Sequence, residues 1–91
     1  MPIVSARYTL SKTTPTKVVA ASTQPQVVQL HNGTKSSNEY IIIGGTGVTF
    51  TNGYHIDNAE SIQIPLTPGD DLYAVSDPTG LVLHVLAVTQ D

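Results

Sequence analysis

The sequence predicts an all-β chain, a small antiparallel β-sandwich or barrel of about seven to eight strands. Three observations carry that prediction. The 91 residues hold twelve threonines and seven serines, and only 12% are charged, roughly half the usual share near 25%. A Thr/Val/Ile-rich, charge-poor chain suits pleated, half-buried strands and makes poor solvated helices. Short apolar runs recur between turn signals at intervals of about 8–12 residues, the spacing of a sandwich or barrel. No segment shows the 3.6-residue period of an amphipathic helix, which excludes a βαβ nucleotide fold with its crossover helices.

Taken in order, "IVSARYTL" (residues 3–10) alternates Val4, Ala6, Tyr8 and Leu10 against Ile3, Ser5, Arg7 and Thr9. That is a one-sided strand or an extended arm. The polar "SKTTPTK" that follows, with its central proline, extends the arm reading to residue 17. The expected division is therefore an N-terminal arm over 1–17 and a sandwich over 18–91, with the sandwich folding even when the arm is removed. "KVVAAS" and "QVVQLHN" are short strands separated at Gln24–Pro25, and "NGTKSSN" (32–38) has hairpin-loop composition.

"EYIIIGG" is a core strand with Ile41 and Ile43 on one face and Tyr40 and Ile42 on the other. Gly44–Gly45 permits a bulge or sharp bend, after which Val48 and Phe50 are expected to re-enter the sheet. Asn52–Gly53 is a second turn signal. "ESIQIPL" alternates Ile62, Ile64 and Leu66 inward, and Pro65, which cannot donate to a ladder, implies that this strand lies at an edge or bends there. "TPGDD" and "DPTG" are turns flanking "LYAVS". The closing "LVLHVLAVTQD" is apolar on both faces: Leu81, Leu83, Val85 and Ala87 on one, Val82, His84, Leu86 and Val88 on the other. A two-layer domain of this size buries one strand face, so the second needs a cover, from the arm or from another subunit.

Charge and composition narrow the function classes. Net charge is −3, and the four basic residues, Arg7, Lys12, Lys17 and Lys35, assemble no patch for nucleic acid. The absence of cysteine removes disulfides and thiolate metal sites. No apolar stretch reaches the ~20 residues of a membrane helix. "MPIVSARYTL" lacks a signal-peptide pattern, so the expected location is the cytoplasm or a particle assembled there.

The glycine run "IIIGGTGVTF" (41–50) lacks both phosphate-binding signatures. The third glycine of a dinucleotide fingerprint would stand at residue 50, which is Phe50, and no Gly-Lys-Ser/Thr occurs. His31, His55 and His84 have no ligand spacing, and Asp70–Asp71 beside Gly69 lack the calcium-loop pattern. Asn32–Thr34 matches a glycosylation sequon and reads as a turn. No Gly-x-Ser-x-Gly elbow is present, and Glu60 and Asp57 lie in a turn-like stretch where acid–base work would need paired carboxylates in a cleft. The expectation is a non-enzymatic protein without cofactor or metal.

From residue 27 to residue 86 the run "VVQLHN" (27–32), "YIIIGGTGVT" (40–49), "NGYHI" (52–56), "ESIQIPL" (60–66), "DLYAVS" (71–76) and "LHVL" (83–86) resembles a small β-sandwich domain of tailed-phage virion proteins. The resemblance implies a structural part of a virion. With the arm, it implies a capsid decoration protein that stabilises the assembled shell, its partners being the major capsid protein and further copies of itself, as a homotrimer. Neither nucleic acid nor membrane is expected as a partner. The expected contact residues are Ile3, Val4, Arg7, Tyr8, Lys12 and Lys17 of the arm, with Val82, His84 and Leu86 of the last strand. Other virion roles (head–tail joining, tail, or head-fibre anchoring) and a small sugar- or calcium-binding module are the alternatives.

Overall fold

A computed structural model describes residues 3–33, 39–49, 51–57, 59–77 and 79–89. Among them eight strands form: β1 (Ile3–Thr9), β2 (Thr16–Val19), β3 (Gln26–Asn32), β4 (Tyr40–Gly44), β5 (Tyr54–Ile56), β6 (Ser61–Leu66), β7 (Leu72–Asp77) and β8 (Val82–Thr89). They make two four-stranded antiparallel sheets, ordered β1-β8-β3-β6 and β2-β7-β4-β5. The predicted sandwich is the fold, with no helix among the described residues.

The core lies between the sheets and follows the period-2 pattern of the sequence. Val28 and Leu30 of β3, Leu83 and Val85 of β8, Ile41 and Ile43 of β4, and Ile56 of β5 point into it. Ile62 and Ile64 of β6 pack against it, and Leu66 is buried within it. Pro65 sits on β6 at the sheet's edge, as its missing N–H requires. Asn32 is fully buried, its Nδ2 donating to the carbonyls of Ile56 (3.1 Å) and Glu39 (3.3 Å). An amide held this way ties β3 to β5 across the sandwich and is not available to a glycosyl transfer.

Residues 3–9 differ from the arm expected over 1–17. They form β1, paired along all seven residues with β8, from Ile3↔Val88 to Thr9↔Val82. The alternation read in the sequence is the reason: Tyr8 packs on the core and Leu10 is 1% exposed within it. Residues 11–15 then cross to β2 in the other sheet, with Ser76 N–H bonded to the Ser11 carbonyl. Removing residues 1–17 would thus strip an edge strand and a core leucine rather than leave an intact sandwich.

The segment after β4 also departs from expectation. Val48 does not return to a strand. It folds back over the outer face of β4 and β7, packing with Ile42 and Val75 in a second small cluster flanked by Tyr40 and Tyr73. Thr49 N–H and Asn52 Oδ1 (2.7 Å), and Asn52 N–H and the Thr49 carbonyl (3.2 Å), close the turn that holds it there. Gly47, at a φ of 84°, supplies a backbone state that L-residues rarely adopt. Phe50 lies outside the described residues.

Ala59 occupies a φ of 60° in the β5–β6 turn, where the Asp57 N–H bonds to Glu60 Oε1 (3.0 Å) and the Glu60 N–H to the Asp57 carbonyl (3.1 Å). Alanine is strained in that region and glycine is not. Ala59→Gly is therefore expected to stabilise the fold by about 0.5 kcal/mol despite glycine's greater unfolded-state entropy. Urea denaturation of the two proteins measures it.

Candidate docking face

Strand register, not sequence spacing, decides which side chains share a surface. On the outer side of the β1-β8-β3-β6 sheet, partners line up in rows across four strands. Ile3, Val88, Val27 and Pro65 form an apolar row. Ser5, Leu86, Gln29 and Gln63 form the next, and Arg7, His84, His31 and Ser61 the third. Ile3 is 64% and Leu86 39% exposed, which is high for large apolar side chains in regular strands. Val27, Gln29, Gln63, Leu86 and Val88 line a shallow depression of about 280 Å³ on this face.

In the polar row, His31 and His84 face each other with ring centroids 6.1 Å apart, and His31 Nδ1 shares a hydrogen bond with Ser61 Oγ at 2.7 Å. Gly33 leaves room for the His84 ring, since a Cβ there would come within 3.2 Å of Nε2. This juxtaposition was not visible in the sequence, where the two histidines stand far apart. The signal that could have shown it was the β3–β8 pairing itself.

The nine residues expected to contact a partner separate into three places. Ile3, Arg7, Val82, His84 and Leu86 share the outer face just described. Val4 and Tyr8 point the other way, into a groove of about 220 Å³ between the open edges of the two sheets, shared with Val18 and Val19. Lys12 and Lys17 belong to neither. Lys12 Nζ lies 3.3 Å from Asp77 Oδ1, and Lys17 Nζ lies 3.7 Å from Asp71 Oδ1 and 5.9 Å from the Tyr73 ring centroid. Because β2 pairs with β7, its lysine meets the acidic side of the same chain, so it does not project as part of a basic arm.

The groups weighed for metal or sugar chemistry hold local structure. Asp71 Oδ1 accepts from the Ala21 N–H (2.6 Å), and Asp70 Oδ2 accepts from the Thr67 hydroxyl. His55 stacks near Tyr40, centroids 5.9 Å apart, on the other sheet from His31 and His84. No group of three or more His, Cys, Asp or Glu able to hold a metal ion occurs among the described residues.

Fold and surface together define a class: a small all-β sandwich with an apolar row on one outer sheet face that no described segment covers. Neither a protein-family model nor a curated protein matches the chain. Among solved structures it is similar to one described as "Bacillus endospore appendages form a novel family of disulfide-linked pili", with 15% identity and a TM-score of 0.57 over 99% of this chain and 87% of that one. The likeness is one of fold. The disulfide linkage of those pili has no counterpart in the present 91 residues, which contain no cysteine.

Proposed function

We propose that this chain is a structural component of a tailed-phage particle, a capsid decoration protein that docks on the assembled shell through the outer face of β1, β8 and β3. The observation that carries the reading is an asymmetry between the sheets. The β2-β7-β4-β5 sheet buries its outer apolar residues, Ile42 and Val75, under its own Val48 loop. The opposite sheet has a comparable apolar row and no segment among the described residues lies over it. A bare apolar patch on a charge-poor domain marks an interaction surface. The motif run over residues 27–86 supports a virion part, and the major capsid protein is the partner it implies.

A second virion role, anchoring a fibre, is favoured by one observation. A similar fold occurs in a structure described as one of endospore appendages that form disulfide-linked pili. Copy number separates the two: decoration requires occupancy across the shell, whereas an anchor occupies one or a few positions per particle.

Leu86→Asp places a charge in the middle of the face while leaving the core untouched, since Leu86 points to solvent. Purified variant and parent are added to undecorated capsids and bound protein is quantified. At least a tenfold loss of affinity is expected, about 1.4 kcal/mol. Equal occupancy of the variant would remove this face as the docking surface.

A further inference from the structure

We infer that β1 is the edge through which two copies of this chain pair, antiparallel and about a two-fold axis, fusing their β1-β8-β3-β6 sheets into one. The inference goes beyond the proposed function and does not depend on it. Each sheet has two edges, and an exposed edge invites pairing unless something blunts it. β6 carries Pro65, β2 has four residues, a register shift and Lys17, and β5 has three residues. β1 has seven residues, no proline and unbroken register with β8. It also holds two of the four exposed large apolar side chains among the described residues, Ile3 and Val4.

The hydrogen-bond phase says which groups the free edge offers. The Leu10 N–H donates to the Leu81 carbonyl at 2.9 Å, and Leu10 and Leu81 continue the β1–β8 register. In an antiparallel ladder alternate residues bond to the same neighbour, so Tyr8, Ala6 and Val4 turn their amides toward β8. Ile3, Ser5, Arg7 and Thr9 turn theirs outward. The same alternation puts Pro65 at an outward position of β6, opposite Val27, and is consistent with the Asn32 N–H bonding inward to Glu60.

Centred on Ala6, two β1 strands match along their whole length. Ile3 of one copy lies opposite Thr9 of the other, Ser5 opposite Arg7, and Val4 opposite Tyr8. The outward-turned residues then form the hydrogen-bonded pairs, as the ladder demands. No two arginines stand directly opposite. Val4, 57% exposed, gains Tyr8 as a cross-strand neighbour at the mouth of the groove it lines with Val18 and Val19. An edge that pairs with itself builds two-fold assemblies, whereas the virion resemblance implies a homotrimer.

Ala6 would face its own copy in a non-hydrogen-bonded pair, with Cα atoms about 4.5 Å apart, a separation that a disulfide spans. The chain contains no other cysteine, so Ala6→Cys reports on this contact alone. Under mild oxidation Ala6→Cys is expected to form a covalent dimer at least tenfold faster than Gln63→Cys on the guarded β6 edge. Ser5→Pro removes an outward N–H without touching the internal ladder, and circular dichroism verifies that it folds. Sedimentation equilibrium should show a concentration-dependent dimer for the parent, of the weak kind expected from a contact below about 1,200 Å². Ser5→Pro should shift that equilibrium at least tenfold toward monomer. Equal crosslinking of the two cysteine variants, a parent that is monomeric or odd-numbered, or a Ser5→Pro variant that dimerises like the parent would overturn the inference.

Discussion

Leu83→Ala is expected to cost about 3–4 kcal/mol, the full loss from truncating a buried leucine in a core that cannot close around it. Leu83 is fully buried on β8, the strand that joins β1 to β3. Truncation removes the transfer energy of its isobutyl group and leaves a void that two hydrogen-bonded neighbours hold open. β8 cannot slide to fill it, because its register is fixed on one side from Ile3↔Val88 to Thr9↔Val82 and on the other from Gln26↔Thr89 to Asn32↔Leu83. A 91-residue domain has only about 5–10 kcal/mol to lose. The midpoint of thermal unfolding should therefore fall by on the order of 15–25 °C, read by calorimetry. A shift under 5 °C would mean that the core can collapse around the void and that β8 is less constrained than its ladders imply. Leu86, three residues further along the same strand, should be nearly silent in this assay, because it points to solvent.

That contrast within one strand was legible in the sequence, because period 2 assigns alternate residues to opposite faces whatever the partner strands are. The same rule gave Ile62, Ile64 and Leu66 their inward direction, and Pro65 announced an edge through its missing donor. The two-sided apolarity of β8 was visible for the same reason, though not how the chain would deal with it. What the sequence could not supply was register between distant strands. Residues 3–9 read equally as arm or strand, since alternation within one segment does not name the segment it pairs with. The meeting of His31 with His84 and the capture of Lys17 by Asp71 depend likewise on contacts 53 and 54 residues apart, set by the β3–β8 and β2–β7 ladders.

The two outer faces show how one sequence solves the same problem twice. Ile42 on β4 and Val82 and Leu86 on β8 are outward apolar residues on strands whose inward residues fill the core. For β4 the cover is local, a loop a few residues downstream that brings Val48 over Ile42. For β8 the adjacent loops at Leu10–Ser11 and Thr79–Gly80 are committed to hydrogen bonds with each other and with β7: the Leu10 N–H donates to the Leu81 carbonyl, the Gly80 N–H to the Leu10 carbonyl and the Ser76 N–H to the Ser11 carbonyl. They are held at one end of the sandwich and do not fold over the outer face. That no described segment lies over this face is thus a consequence of where short connections can reach.

Gly53→Ala is expected to break the local cover, at a cost of about 2–3 kcal/mol. A Cβ at residue 53 would stand 2.2 Å from Ile42 Cγ2, 2.7 Å from the Ile43 carbonyl oxygen and 2.7 Å from Val48 Cγ2. The isoleucine Cγ2 is set by a stiff β-branched χ1 in a packed site and the carbonyl belongs to the β4 backbone, so the returning loop has to lift. Lifting exposes Ile42 and Val75, which are now 1% exposed, and frees Val48. Gly45 is the control: no atom lies within 4 Å of a Cβ there, and Gly45→Ala should change stability by less than about 0.5 kcal/mol. Urea unfolding of both variants measures the difference, and an apolar dye should bind only the Gly53 variant under native conditions. If both alanines are equally tolerated, the loop does not pack against Ile42 and the two sheets are alike in leaving their outer faces open. The glycines of "GGTGVTFTNG" would then act through flexibility alone, whereas the close approaches at Gly44 and Gly53 give those two the job of letting a loop lie flat on its own strand.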